Sequence, residues 1–157
     1  MDEPNQAMNQ SDRLRATLRQ LLAAQNLAVL STHHEGQPYA SLVAFVAAEE
    51  LKQIVFATAR TTRKFSNLQA DPRVAVLIDS RTNQPCDFHQ AIAVTATGRA
   101  EELSGIERER LTALFLVKHP HLEDFLRAPT CALIRIHVQC YYLVSRFQNV
   151  MELHIAP

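Results

Sequence analysis

Glycine, cysteine and tryptophan are scarce in this chain of 157 residues: there are three glycines, three cysteines and no tryptophan. Gly36, Gly98 and Gly105 stand too far apart to spell either a G-x-G-x-x-G turn or a P-loop. A nucleotide-like phosphate, if bound, must therefore be held by side chains and a helix end. Cys86, Cys131 and Cys140 are odd in number and lack C-x-x-C spacing, so free thiols in a cytoplasmic protein are expected. Charge of either sign is not in excess, with 16 Lys plus Arg against 16 Asp plus Glu. No basic block reaches five or six residues, which argues against nucleic acid as a partner. No apolar run approaches bilayer length, so no membrane partner is expected. The start, Met1-Asp2-Glu3-Pro4, is too polar and acidic for a secretory signal.

What is present reads as one domain. Residues 1–10 are expected to form a disordered tail and residues 11–157 a single folded unit. Leu14, Leu18, Leu21 and Leu22 recur at helical spacing over 12–24, with Ser11 or Asp12 as cap. Residues 27–32 and 39–47 read as strands, joined by a turn at His33-His34-Glu35-Gly36-Gln37. A third strand is expected at 51–56, a fourth at 73–79 and a fifth at 90–101, the last two separated by a loop over 80–89. Ser104-Gly105-Ile106-Glu107 spells a capping box and opens a helix to about Lys118. His119-Pro120 breaks it, and 122–126 adds a helical turn. Residues 132–138 and 141–147 are expected as closing strands, with the tail from Gln148 unassigned. Six or seven short strands with a few helices inserted indicate a small antiparallel barrel, mainly β or α+β, with peripheral helices.

The stretch after the third strand is chemically unusual. From about Thr62 the pattern turns helical, with Phe65 and Leu68 on one face and Asp71-Pro72 as the stop. Thr61 or Thr62 can cap it. A helix start carries unpaired N–H groups and partial positive charge, so it favours carboxylates. This one carries Arg63 and Lys64, preceded by Arg60, with no carboxylate before Asp71. The conflict disappears if an anion sits there, held by free amides, threonine hydroxyls and two cations. The plainer alternative is that both side chains extend into water.

Residues 15–147 resemble the pyridoxamine 5'-phosphate oxidase-like superfamily of FMN-binding split barrels. The resemblance is carried by the order and spacing of Ala28-Val29-Leu30-Ser31-Thr32, Pro38-Tyr39-Ala40-Ser41-Leu42-Val43-Ala44-Phe45, Phe56-Ala57-Thr58, Thr62-Arg63-Lys64, Asp71-Pro72-Arg73-Val74-Ala75-Val76-Leu77 and Val94-Thr95-Ala96-Thr97-Gly98-Arg99-Ala100. It implies a split β-barrel of Greek-key type and a homodimer with FMN in the interface cleft. It also implies cofactor contacts at Ala40, Ser41, Leu42, Thr58, Thr62, Arg63 and Lys64, the Arg63-Lys64 pair for the phosphate. The function implied is an FMN-dependent oxidoreductase acting on a small-molecule substrate or electron donor. The alternatives are a non-catalytic redox sensor or electron carrier, or a split barrel holding deazaflavin or heme. A true pyridoxamine phosphate oxidase is not expected, because the last segment lacks the Trp and Arg/His pair of those enzymes. Arg146 is the one candidate remnant, and Ala93 stands where the family often has a ring-contacting Gln.

The remaining residues offer no catalytic signature. His33 and His34 are adjacent, and neighbouring residues seldom converge on one metal. His119, His121 and His154 are the only handles for heme. No metal site, Ser-His-Asp set or carboxylate pair can be argued from spacing. A bound flavin would itself carry the electron chemistry.

Overall fold

Period-two alternation decides which way each strand faces, and the inward-facing apolar residues let six strands close around one core. The computed structural model describes residues 8–146 and 148–157. The order is α1 (Gln10–Ala24), β1 (Leu27–His34), β2 (Gln37–Ala48), β3 (Gln53–Ala59), α2 (Arg63–Ala70), β4 (Arg73–Asp79), α3 (Asp87–Gln90), β5 (Ile92–Glu102), α4 (Gly105–Lys118), a 3-10 turn (Pro120–Leu122), α5 (Glu123–Arg127), β6 (Cys131–Ser145) and β7 (Asn149–His154). The sheet runs β3-β2-β1-β4-β5-β6-β7, and β3 also pairs with β6. All pairings are antiparallel, so β1 to β6 form a closed six-stranded barrel with β7 added along the far half of β6. The expected split-barrel fold with flanking helices is therefore observed. No helix among the described residues is long and apolar enough to cross a membrane.

Leu30, Phe45, Ile54, Phe56, Val76, Val94 and Ile136 fill the barrel, and α1 adds Leu14, Leu18, Leu21 and Leu22 to the same cluster. Four buried leucines at roughly 2 kcal/mol each far outweigh the marginal stability of a lone helix of this length. A second cluster lies outside the wall: Val46, Val55 and Leu133 meet Leu111, Phe115 and Leu126 of α4 and α5. One exterior flank is thus covered by helices, and the flank carrying Leu27, Leu42 and Leu77 is left exposed.

Several local expectations give way to longer-range contacts. Of the expected tail, residues 1–7 lie outside the described residues, while Asn9 caps α1 by accepting from Asp12 N at 2.8 Å. Neither Ser11 nor Asp12 is the cap. His33 and His34 belong to β1, and the turn is Glu35-Gly36, both left-handed at φ 49° and 80°, the pattern of a type I′ hairpin. The third strand starts two residues late because Glu49, Glu50 and Leu51 form a left-handed run at φ 52°, 54° and 71°. The buried Tyr141 hydroxyl holds that run by donating to Leu51 O at 2.7 Å. Within the expected 80–89 loop, the Asp87 carboxylate accepts from Thr82 N and Asn83 N and opens α3. The capping box does not form: Ser104 makes no side-chain cap, and Glu107 turns to Arg110 and Arg135.

The two closing strands are one. β5 and β6 pair through their length, but Thr97 faces Cys140 while Gly98 faces Val138, leaving Gln139 as an extra residue. This bulge shifts the alternation by one, so Ile136 and Val138 point inward before it and Tyr141 and Leu143 after it. Phe147, the expected end of that strand, lies outside the described residues, and the unassigned tail supplies β7.

Candidate functional site

β2 and β3 pair only from Phe45↔Phe56 to Ala48↔Gln53. Beyond that point β3 stays with β6, through Ala57↔Leu133, Thr58↔Ala132 and Ala59↔Cys131. The early half of β2 is bonded to β1 alone, with Ala40 opposite Ser31, Ser41 opposite Leu30 and Leu42 opposite Val29. Its other edge therefore presents backbone N–H and C=O groups with no strand to receive them. The barrel wall is split here, and α2 starts across the split.

Thr62 caps α2 by accepting from Phe65 N at 3.4 Å, and its hydroxyl also donates to Ala59 O at 2.9 Å. Thr58, almost fully buried, places its Oγ1 2.9 Å from Thr62 Oγ1. Among the described residues the amides of Arg63 and Lys64 have no acceptor, and no carboxylate pairs with either side chain. Arg63 lies over the Tyr39 ring, 5.5 Å from its centre, which ties the helix start to the open half of β2. Arg60, the third cation of the run, is otherwise engaged: it pairs with Glu102 and lies over Phe65. At the other end of α2, Asp71 binds Arg73 through both carboxylate oxygens and His33 at 3.1 Å. The Arg73 guanidinium holds the Asp71 carboxyl well below the usual carboxylate range. The negative partner is thus spent away from the helix start.

The structure brings Thr58, Thr62 and Arg63 together around that start, with Lys64 half-buried beside them. Ser41 points toward the barrel interior, on the face of β2 shared by Val43 and Phe45. Its hydroxyl is one of two buried side-chain polar atoms without a hydrogen-bond partner among the described residues, the other being Gln53 Oε1. Buried polar groups are normally paired, so Ser41 lacks a partner the fold does not provide. Ala40 and Leu42 lie on the opposite, exposed face. A groove of about 580 Å³, lined by His34, Gln37, Pro38, Tyr39, Arg63, Ser66 and Asn67, runs between the β1–β2 hairpin and α2. That volume is within the range of small-molecule sites.

Two residues that the sequence reading did not name for the site complete the wall. Asn67 is buried and donates from Nδ2 to Thr32 Oγ1 at 3.1 Å, docking α2 on β1. Thr32 follows Ala28 and Leu30 on the inward phase of β1, so a polar residue on an apolar face was a readable signal. Ala93 lies on the outer face of β5, opposite Asp79 and Val144. Arg146 is exposed and left-handed at φ 51°. The His119 and His121 rings meet edge to face with centroids 6.2 Å apart, and among the described residues neither shares a partner with His154. His119 is buried with Nε2 2.8 Å from Phe45 O, His121 is exposed, and His154 pairs with Glu152 on β7.

A family model for pyridoxamine 5'-phosphate oxidase matches residues 14–144. The chain belongs to the pyridoxamine 5'-phosphate oxidase-like family. Solved structures with the same fold include a heme binding protein from Mycobacterium smegmatis, at 20% identity and TM-score 0.82, covering 94% of this chain and 59% of that one. General Stress Protein 26 from Bacillus anthracis matches at 20% identity and TM-score 0.71, covering 91% and 99%. A FAD-binding protein from Mesorhizobium loti matches at 22% and 0.67, covering 82% and 90%. No curated protein matches significantly. The family match spans every residue of the split and of the α2 start, and ends at Val144, just before Arg146.

Proposed function

We propose that this protein binds FMN in the split between β2 and α2, and that it is an FMN-dependent oxidoreductase other than a pyridoxamine phosphate oxidase. The observation that carries the reading is the uncompensated start of α2: two free amides, the Thr62 cap, and Arg63 and Lys64 without a carboxylate. A phosphate satisfies all of these at once. The orphaned Ser41 hydroxyl and the open edge of β2 at 40–42 supply hydrogen-bonding groups for a ring system. Bound flavin would supply the hydride or electron chemistry; the protein's part is to anchor and orient it.

The exposed apolar flank supports a homodimer. Leu42, Val29 and Leu77 form a continuous cross-strand row on it, and Leu42 is 63% exposed. Such a row is typical of an interface between subunits. The likeness to a heme binding protein motivates a second reading. His119 does not favour it, since its Nε2 is already tied to Phe45 O.

The test is the spectrum of the purified protein and titration with FMN. Micromolar or tighter binding is expected, with loss of binding in the Arg63→Ala, Lys64→Ala double variant. Undiminished affinity in that variant refutes the phosphate assignment. A Soret band after heme addition, without flavin binding, would select the second reading.

A further inference from the structure

We propose that Cys140, Glu152 and His154 form a transition-metal site, suited to Zn²⁺, on the outer face of β6 and β7. Cys140 and His154 are direct cross-strand partners, and Glu152 lies two residues before His154 on the same face of β7. Directly opposed residues in an antiparallel pair have Cβ atoms about 5 Å apart, and period two keeps Glu152 on their side. One sulfur, one carboxylate oxygen and one imidazole nitrogen lie within 4.8 Å of one another. It is the one such group of three found among the described residues.

The bulge is what makes the site. Without Gln139 as an extra residue, Cys140 would share the inward phase of Ile136 and Val138 and be lost in the core. The phase shift sends Tyr141 inward and turns Cys140 to the outer face. Glu152 already stands 3.0 Å from His154 Nε2, and no Lys or Arg among the described residues pairs with it.

The donor set selects the ion. Thiolate with imidazole and carboxylate suits Zn²⁺, and three protein ligands leave a fourth tetrahedral position for water. Metal–ligand bonds of about 2.0 to 2.3 Å place tetrahedral ligand atoms about 3.5 Å apart. The present spread closes to that by side-chain rotation of Glu152 and His154, both at least half exposed. On binding, the Cys140 S–H bond breaks, sulfur keeps the electron pair for the metal and the proton goes to solvent.

The experiment is titration of the reduced, chelator-treated full chain with Co²⁺ alone and then Zn²⁺. One Co²⁺ per chain with a thiolate-to-cobalt charge-transfer band, displaced by Zn²⁺, is expected. Cys140→Ser should remove the band, and Glu152→Gln and His154→Gln should each weaken binding at least about tenfold. Cys86→Ser, at an exposed thiol, should change nothing. Because Cys140 is buried, the two exposed substitutions carry the test if Cys140→Ser unfolds. Absence of the band, or affinity unchanged in Glu152→Gln and His154→Gln, overturns the site. FMN titration is read separately and shares none of these residues.

Discussion

Thr58 Oγ1 and Thr62 Oγ1 meet at 2.9 Å, and this contact helps to fasten the end of β3 to the first turn of α2. Thr62 has three tasks there: it meets Thr58, donates to Ala59 O and caps the helix. Thr62→Ala should cost about 1 kcal/mol, the usual loss for a removed cap. It should also weaken FMN binding about fivefold, since the helix start it fixes is the proposed anion site. Thr58→Val removes its own weaker bond to Ala59 O at 3.3 Å but leaves the cap and the Thr62 bond to Ala59 O in place, and should be milder on both counts. Urea midpoints and FMN titration check both variants. Equal effects from the two would mean that the hydroxyl pair, not the cap, holds the site.

Lys64→Glu separates stability from binding. A carboxylate in the first turn complements the helix dipole where the lysine opposes it, so the ligand-free protein should gain up to about 1 kcal/mol. The same change removes a charge-assisted bond to phosphate and adds repulsion, so FMN affinity should fall about a hundredfold. The two measurements should move in opposite directions. A variant that loses both would identify Lys64 as structural.

Much of this was legible because it is local. The leucine stripe of α1, the Thr62 cap with its Asp71-Pro72 stop, and the Gly36 turn are each written within one element. What was not legible depends on partners far along the chain. The Ser104-x-x-Glu107 spelling fails because Arg135, on the outer face of β6 beneath α4, binds the Glu107 carboxylate. The joining of two expected strands into β6 depends on Gly98 tolerating a bulge opposite it. For the candidate site, the cations and threonines were visible in sequence, and the Arg60 pairing with Glu102 was not. Nor was the parting of β2 from β3, since the Phe45–Phe56 limit is set by β3 remaining bound to β6.

Gly98 should be the least replaceable of the three glycines. A Cβ there would stand 2.2 Å from His137 O, which is backbone and cannot swing aside. Gly98→Ala must displace β6 at the bulge and should cost about 3 kcal/mol, at the upper end for overpacking. At Gly36 a Cβ would meet nothing within 4 Å, and the obstacle is only the φ of 80°. Gly36→Ala should therefore cost about 1 to 2 kcal/mol. Urea denaturation ranks the two. The reverse order would contradict the close approach at the bulge.

Lys118 should make stability rise with pH on the alkaline side. Its Nζ donates to Leu22 O at 2.9 Å and lies 4.1 Å above the Phe45 ring, without a carboxylate partner. Half-burial pushes its pKa down to about 8, against about 10.4 in an unfolded chain. Between those values the unfolded chain binds more protons than the folded one, so unfolding free energy increases with pH. The gain is absent below the folded pKa and complete above the unfolded one. Tyr141 works the other way, since burial raises its hydroxyl pKa, but it acts only once free tyrosine begins to ionise near pH 10. Burial also raises the Cys131 thiol pKa, and that group opposes the gain as free thiols ionise in the same range, so Lys118 is isolated by comparing the native chain with Lys118→Met from pH 8 to 10. Urea midpoints of the native chain should climb across that range relative to those of Lys118→Met. Equal slopes in the two proteins would assign the proton to another group.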